Sequence, residues 1–318
     1  MLRFIRKILI LFVLIAIIAA AGIGVKLYQG IQSYKNPSQV TIQIPKGASV
    51  RKIARLLSDK NVVADKYIFE AYVRFEGVGA QLKAGEYEFK EGLTMKVVAG
   101  KMAAGKVKLY RFTIPEGFNI YGICAVLEKQ KLMRMKVCTQ QVRRVDLLKQ
   151  KPAKAKTLEG YLFPDTYTYQ YDTKQTDFIE QMVALFYKKV GDERIAKAKK
   201  MGFSLYELIT FASIVEKETG KQSERPLIAS VFHNRLRIGM LLQTDPTVIY
   251  GIQCYDGNIR KKDLTKDTPY NTYTRAGLPV GPICSVGLDA IDAVLEPAKS
   301  DYLYFVAKGD GSHYFSKT

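Results

Sequence analysis

The pattern of hydrophobic positions divides the chain before any chemistry is considered. Residues 8–25 are 18 consecutive positions without a charged side chain. As a helix such a run spans about 27 Å, close to the thickness of a bilayer's hydrocarbon core. Beyond it the pattern becomes that of folded elements. Ile44-Pro45-Lys46-Gly47 is followed by Val50, Ile53, Ala54 and Leu57. Seventy positions later, Ile114-Pro115-Glu116-Gly117 is followed by Ile120, Ile123, Cys124 and Leu127. Such spacing marks one face of an α-helix, and Ser49 and Asn119 stand where helix N-caps belong. The chain therefore predicts a repeated strand–turn–helix unit, either two related modules or one module plus an edge element of the next. Between the copies, residues 82–89 predict a turn and a strand with Tyr87 and Phe89 on one face.

The charged, proline-containing stretch 149–156 (K-Q-K-P-A-K-A-K) predicts a domain boundary. After it the periodicity predicts helices over 178–190, 205–219, 226–238 and 289–295, with Gly220, Gly239 and Pro297 as stops. Asp245-Pro246 and Gly251 predict turns, and 302–307 (Y-L-Y-F-V-A) predicts a buried strand. The expected class is α+β: an N-terminal transmembrane helix, small α/β modules, and a mainly helical C-terminal domain with a few strands. The expected boundaries are a terminus at 1–7, an anchor at 8–25, a tether at 26–39, a first module at 40–108, a second strand–turn–helix module and linker at 109–155, and the C-terminal domain at 156–318.

Composition fits a folded protein, with 47% hydrophobic and 25% charged residues among 318. The 49 Lys and Arg against 30 Asp and Glu give a net charge of +19. That charge implies an anionic partner (nucleic acid, a membrane surface or an acidic polymer) or simply a lysine-rich surface. Arg3, Arg6 and Lys7 precede the apolar run, so the positive-inside rule keeps the N-terminus in the cytoplasm and sends the rest outside. This argues against a nucleic-acid partner. A cleaved signal peptide is the rival, with Ala19-Ala20-Ala21 as cleavage site, but the apolar run exceeds the usual signal-peptide core. Cys124, Cys138, Cys254 and Cys284 allow three disulfide pairings or four buried thiols. No C-x-x-C, H-E-x-x-H, G-x-S-x-G or P-loop pattern is present.

The sharpest chemical signal lies in 205–219. At about 100° per residue, Leu205, Leu208, Ile209, Ala212 and Val215 form an apolar stripe, and Glu216 falls inside it. Lys217 and Glu218 fall off the stripe. A carboxyl facing the core is costly unless neutral or paired. Desolvation would raise its pKa and suit a general acid; a buried arginine, Arg225 or Arg235, would instead make it structural.

Six ordered motifs surround this glutamate: L-E-G-Y-L-F-P-D-T-Y at 158–167, A-S-I-V-E-K-E-T-G at 212–220, S-V-F-H-N-R-L-R-I-G-M at 230–240, L-Q-T-D-P-T-V-I-Y-G at 242–251, Y-N-T-Y at 270–273 and G-L-P-x-G-P-I at 277–283. Together they resemble the endolytic murein transglycosylase family, the YceG-like proteins also called MltG. The resemblance covers nearly the whole chain, and the first module is similar to that family's LysM-like subdomain. It implies Glu216 as catalytic acid and base in the 156–318 domain. By the weaker analogy with other lytic transglycosylases, it implies Gln243, Asn271 and Tyr273 as substrate contacts, although Y-N-T-Y is equally a structural turn. Glu159, Glu218 and Asp245 are further candidates for the substrate cleft. Glu159 and Asp165 read first as carboxylates that bond backbone N–H groups in a cleft wall, ahead of direct chemistry, and Asp245-Pro246 as a turn or cap ahead of a substrate contact. Tyr161, Tyr167 and Tyr273 are candidate sugar platforms.

The implied reaction is non-hydrolytic cleavage of the MurNAc-β-1,4-GlcNAc bond inside glycan strands, leaving 1,6-anhydroMurNAc ends, with no metal or cofactor. The implied setting is the inner membrane, single-pass, acting from outside on newly made strands and ending their elongation, with penicillin-binding synthases as partners. Members of that family usually run on past the position of Thr318 with a short further segment, so either the C-terminus is truncated here or this is a short member. Two rivals remain: a hydrolase whose second carboxylate is Glu159, Asp165 or Asp245, and a non-enzymatic wall-binding scaffold.

Overall fold

The structure is a computed structural model that describes residues 2–32, 39–90, 92–252 and 255–318. The expected tether falls partly on residues 33–38, outside the described residues, and so does Cys254. The chain divides into two compact units, one of residues 1–110 with 168–172, the other of 111–167 with 173–318. The stretch 149–156, expected as a boundary, lies within the second unit.

In the first unit, helix α1 (Leu2–Gln32) contains a 21-residue apolar span, Arg6–Lys26, with none of it buried. At about 1.5 Å per residue this is long enough to cross a bilayer. Strand β1 (Val40–Ile44) runs antiparallel to β2 (Gly85–Phe89), with Ile42 opposite Tyr87. Between them lie α2 (Val50–Asp59) and α3 (Lys66–Phe75), and α4 (Met95–Ala103) follows β2. Alternation puts Ile42, Ile44, Tyr87 and Phe89 on the inner face. There they meet Ile53, Ala54 and Leu57 of α2, Phe69 and Val73 of α3, and Met95, Val98 and Met102 of α4.

The repeat is real and longer than the sequence signal. β3 (Tyr110–Thr113), α5 (Ile120–Lys129), α6 (Met135–Gln141) and β4 (Thr166–Tyr169) reproduce the order of β1, α2, α3 and β2, and β3 pairs with β4. Ser49 caps α2 by accepting from Lys52 N–H, and Asn119 caps α5 by accepting from Gly122 N–H. The turn glycines Gly47 and Gly117 both have φ of 74°, a conformation that a Cβ makes costly. In the second copy Cys124 of α5 is bonded to Cys138 of α6. Cys284 is a buried free thiol.

The rest of the second unit is helical: α7 (Gln175–Lys200, broken at Gly191), α8 (Leu205–Glu218), α9 (Arg225–Arg237), α10 (Asp245–Gly251), α11 (Lys261–Thr265) and α12 (Leu288–Leu295). α8 is the central element, in contact with α7, α9, α10 and α12. Its ten positions that are buried include Thr210, Phe211, Ser213 and Ile214 beside the predicted stripe. Asp245-Pro246, expected as a turn, instead opens α10, where proline at the start costs no hydrogen bond. The strand expected to be buried at 302–307 is β5 (Tyr304–Ala307). It pairs only with β6 (His313–Ser316) and leaves Tyr304, Val306 and Tyr314 exposed.

Candidate active site

α8 is held at its start by a capping box, in which Ser204 and Glu207 satisfy each other's backbone N–H groups. Its far end carries two glutamates. Two residues advance a helix by about 200°, so Glu216 and Glu218 face nearly opposite ways. Lys217 between them is exposed, Glu216 is buried and Glu218 is half-buried.

Glu216 is not a lone desolvated acid. Its Oε1 accepts a 2.6 Å hydrogen bond from Arg225 Nη2, and its Oε2 accepts one of 3.0 Å from Gly287 N–H. The same guanidinium lies 3.4 Å from Glu116 and 3.8 Å from Asp289. Burial still raises the Glu216 pKa, opposed by the Gly287 N–H and Arg225. Of the two arginines considered from sequence, Arg225 is the partner. Arg235 donates to the carbonyls of Leu242 and Leu303 instead.

Glu218 was expected outside the apolar stripe, which on a helix with one wet face would leave it in water. In the structure it is half-buried, with its carboxyl turned inward. Glu218 Oε1 accepts a short hydrogen bond from Thr244 Oγ1, and among the described residues its Oε2 accepts none. Burial pushes its pKa up to about 7; the Asp245 charge adds to the rise, while the Thr244 bond, His313 and Arg235 oppose it.

Two of the motif segments meet beside it. Gln243 N–H donates to Thr272 O, and Thr244 N–H donates to Thr272 Oγ1. Tyr273 OH donates to Asp245 Oδ1 at 2.6 Å. Gln243 is exposed with a left-handed φ of 49°, which turns its side chain out of the pairing. The structure thus brings Glu218, Gln243, Asp245 and Tyr273 together and places Glu216 elsewhere.

Other candidates are committed to the scaffold. Asn271 is buried; its Nδ2 donates to the carbonyls of Asp263, Leu264 and Lys266, and its Oδ1 accepts from Tyr273 N–H, so Y-N-T-Y holds its own loop. Glu159 is buried away from these residues. Its Oε2 accepts from Tyr250 OH at 2.7 Å and Ile120 N–H at 3.1 Å, and burial pushes its pKa up to about 7. Asp165 accepts from Thr166 N–H and lies 3.8 Å from Lys189. Tyr161 and Tyr167 are buried and offer no face to a sugar. The L-E-G-Y motif can press against α8 because Gly160, at φ 80°, has no side chain; a Cβ there would lie 2.6 Å from Ile209 Cγ2 and 2.7 Å from Pro282 Cβ.

Some residues of the site carried no separate sequence signal. Thr244 sits inside a motif whose other members drew attention, and the charge of His313 acts on Glu218 from a distant part of the chain. Among the described residues no cluster of three or more His, Cys, Asp or Glu is arranged to hold a metal. The larger of two neighbouring-size cavities, about 730 Å³, lies at the opposite end of α8 beside Ser204 and Tyr206. A cleft of about 660 Å³ lies at the glutamate end, lined by Lys217, Pro246 and several tyrosines.

Residues 42–318 match the sequence profile of the YceG-like family. The chain belongs to the YceG-like family. A Bacillus subtilis relative named endolytic murein transglycosylase is 35% identical over 298 residues, covering 88% of this chain and 81% of that protein. A Streptococcus pneumoniae relative of the same name is 31% identical over 309 residues, covering 87% of this chain but only 56% of that longer protein. The crystal structure of a YceG-like protein from Listeria monocytogenes is 35% identical and superposes with a TM-score of 0.61 over 88% of this chain and 96% of that one. For this YceG-like chain the matched region begins within β1, includes both copies of the strand–helix–helix–strand repeat, and leaves α1 outside.

Proposed function

We propose that the chain is an endolytic murein transglycosylase in which Glu218, rather than Glu216, is the acid and base. The observation that carries this reading is the setting of Glu218. Its carboxyl accepts from Thr244 of the Q-T-D-P segment, which itself pairs with Thr272 of Y-N-T-Y; among the described residues one of its oxygens accepts no hydrogen bond, and burial pushes its pKa up to about 7. A carboxyl protonated near neutrality can give its proton to a leaving oxygen. Glu216 has donors on both oxygens, which oppose the rise that burial gives its pKa and commit its carboxyl to Arg225 and Gly287.

In the proposed reaction, Glu218 protonates the oxygen of the MurNAc-β-1,4-GlcNAc bond as the bond to muramic acid C1 breaks. The Glu218 carboxylate then takes the proton of that sugar's C6 hydroxyl while O6 bonds to C1. The products are a free GlcNAc 4-hydroxyl and a 1,6-anhydroMurNAc end. Glu218 is returned protonated, and water is neither consumed nor released. Asp245 and Tyr273 would contact the sugars, with Gln243 beside them.

A second reading is supported by Asp245, whose charge acts on Glu218. Asp245 could serve as the base that activates water, which would make the enzyme a hydrolase. Cleavage in ¹⁸O-water separates the two: a hydrolase incorporates the label at the new end, and a transglycosylase does not.

The proposed setting is a single-pass anchor through α1, with the cytoplasmic N-terminus carrying Arg3, Arg6 and Lys7 and the remainder outside. The Cys124–Cys138 disulfide suits an oxidising compartment. The first module is read as LysM-like, supported by its strand–helix–helix–strand order. An anchored enzyme meets strands close to the membrane, so it would act on new glycan, end its elongation and work beside penicillin-binding synthases.

A further inference from the structure

We propose that the cleft lined by Tyr121, Tyr255, Asn119, Lys217 and Pro246 is a saccharide subsite that holds the glycan arm flanking the scissile bond. This rests on the reading of the chain as a murein transglycosylase and goes beyond its reacting residues.

The cleft has a volume of about 660 Å³, within the range of clefts that hold small ligands. Two elements connect it to Glu218. Lys217 precedes Glu218 in α8, and Pro246 follows Asp245 at the start of α10. A strand held there would lie beside the segments that carry Glu218 and Asp245.

Its lining has the chemistry of a sugar site. Tyr121 is 61% exposed and Tyr255 is 38% exposed, so both rings are open to a ligand entering the cleft. The apolar face of a tyrosine covers the C–H face of a pyranose, while its hydroxyl stays wet. Asn119 Oδ1 is occupied by Gly122 N–H, and among the described residues its Nδ2 donates to nothing, leaving an amide donor for a sugar hydroxyl or N-acetyl oxygen. Among the described residues Lys217 is the sole charged residue of the lining; its exposed ammonium donates a long 3.4 Å hydrogen bond to Gly117 O and has further donors that suit a carboxylate on the peptide attached to muramic acid.

The back wall is held by hydrogen bonds and ring packing. Tyr250 donates to buried Glu159 at 2.7 Å and packs its ring 4.7 Å from that of Tyr270. Glu159 also accepts from Ile120 N–H, which ties the wall to the turn that carries Asn119 and Tyr121. A cleft fixed in this way loses little freedom when a strand enters. Glu159, a candidate substrate contact from sequence, thereby acts as a positioning residue behind the wall.

The test uses the full chain in detergent with uncrosslinked glycan strands, with and without stem peptides. Tyr121→Ala and Tyr255→Ala should each raise KM about tenfold with kcat held within about twofold, and the Phe variants should keep the wild-type KM. Lys217→Gln should raise KM for peptide-bearing strands alone. Unchanged KM in both alanine variants would overturn the subsite. If the wild type cleaved nothing, the enzymatic reading would fail by itself, and titration calorimetry of the same proteins with the same strands would then decide. Weaker binding by the alanine variants would support the subsite, and equal binding would overturn it.

Discussion

Arg225 Nη2 meets Glu216 Oε1 at 2.6 Å in a pair whose side chains are 5% and 3% exposed. Removing one member of such a pair strands the other charge away from water and typically costs about 3–5 kcal/mol. Arg225→Ala should destabilise the chain by about that amount. Glu216→Gln should cost less, about 1–3 kcal/mol, because the amide oxygen can still accept from Gly287 N–H and Arg225 still lies near Glu116. Urea unfolding monitored by circular dichroism measures both.

Glu218 should set the alkaline limb of the pH–rate profile. Its pKa is pushed up to about 7, and the proposed chemistry needs it protonated, so kcat/KM should fall as pH rises through about 7. Asp245→Asn removes a negative charge that raises the Glu218 pKa, so any remaining activity should show its limb at lower pH. Initial rates across about pH 5 to 9 test both statements.

Glu159 should make stability fall with rising pH. Its folded pKa of about 7 exceeds the unfolded value of about 4.3, so the contribution is fully present below about pH 4 and lost as pH passes about 7. Glu159→Gln cannot ionise. Relative to wild type it should gain about 3 kcal/mol in going from about pH 4 to pH 8. Urea midpoints at the two pH values measure this, and a difference that did not vary with pH would contradict it.

The Cys124–Cys138 bond closes a loop between residues 14 apart in sequence. A crosslink of that span contributes about 3 kcal/mol. Replacing both cysteines with serine should lower stability by about this much, and adding reductant to the wild type should reproduce most of the loss without affecting the double variant.

Local rules made much of the fold legible. Ser49 and Asn119 announced two helix starts, and the shared spacing of Ile53, Ala54 and Leu57 with Ile123, Cys124 and Leu127 marked the buried faces of α2 and α5. The α3–α6 correspondence stayed hidden because those helices share no comparable signature. The helical wheel of α8 placed Glu216 in the core and Lys217 in solvent, as the structure has them. It could not show that half-buried Glu218 is taken up by Thr244, because that contact comes from a distant segment. Which of the two meets an arginine depends on Arg225 arriving from α9, a tertiary fact. The same limit applies to Tyr161 and Tyr167, whose aromatic run fits a sugar platform as well as the core wall that it forms.

The most direct test of Glu218 is mass spectrometry of purified glycan strands digested by the full chain in detergent, beside Glu218→Gln and Glu216→Gln. The expected result is anhydro-ended fragments from the wild type, none from Glu218→Gln, and the same fragments in reduced yield from Glu216→Gln. Anhydro-ended fragments from Glu218→Gln, with none from Glu216→Gln, would contradict the assignment and return the acid to Glu216.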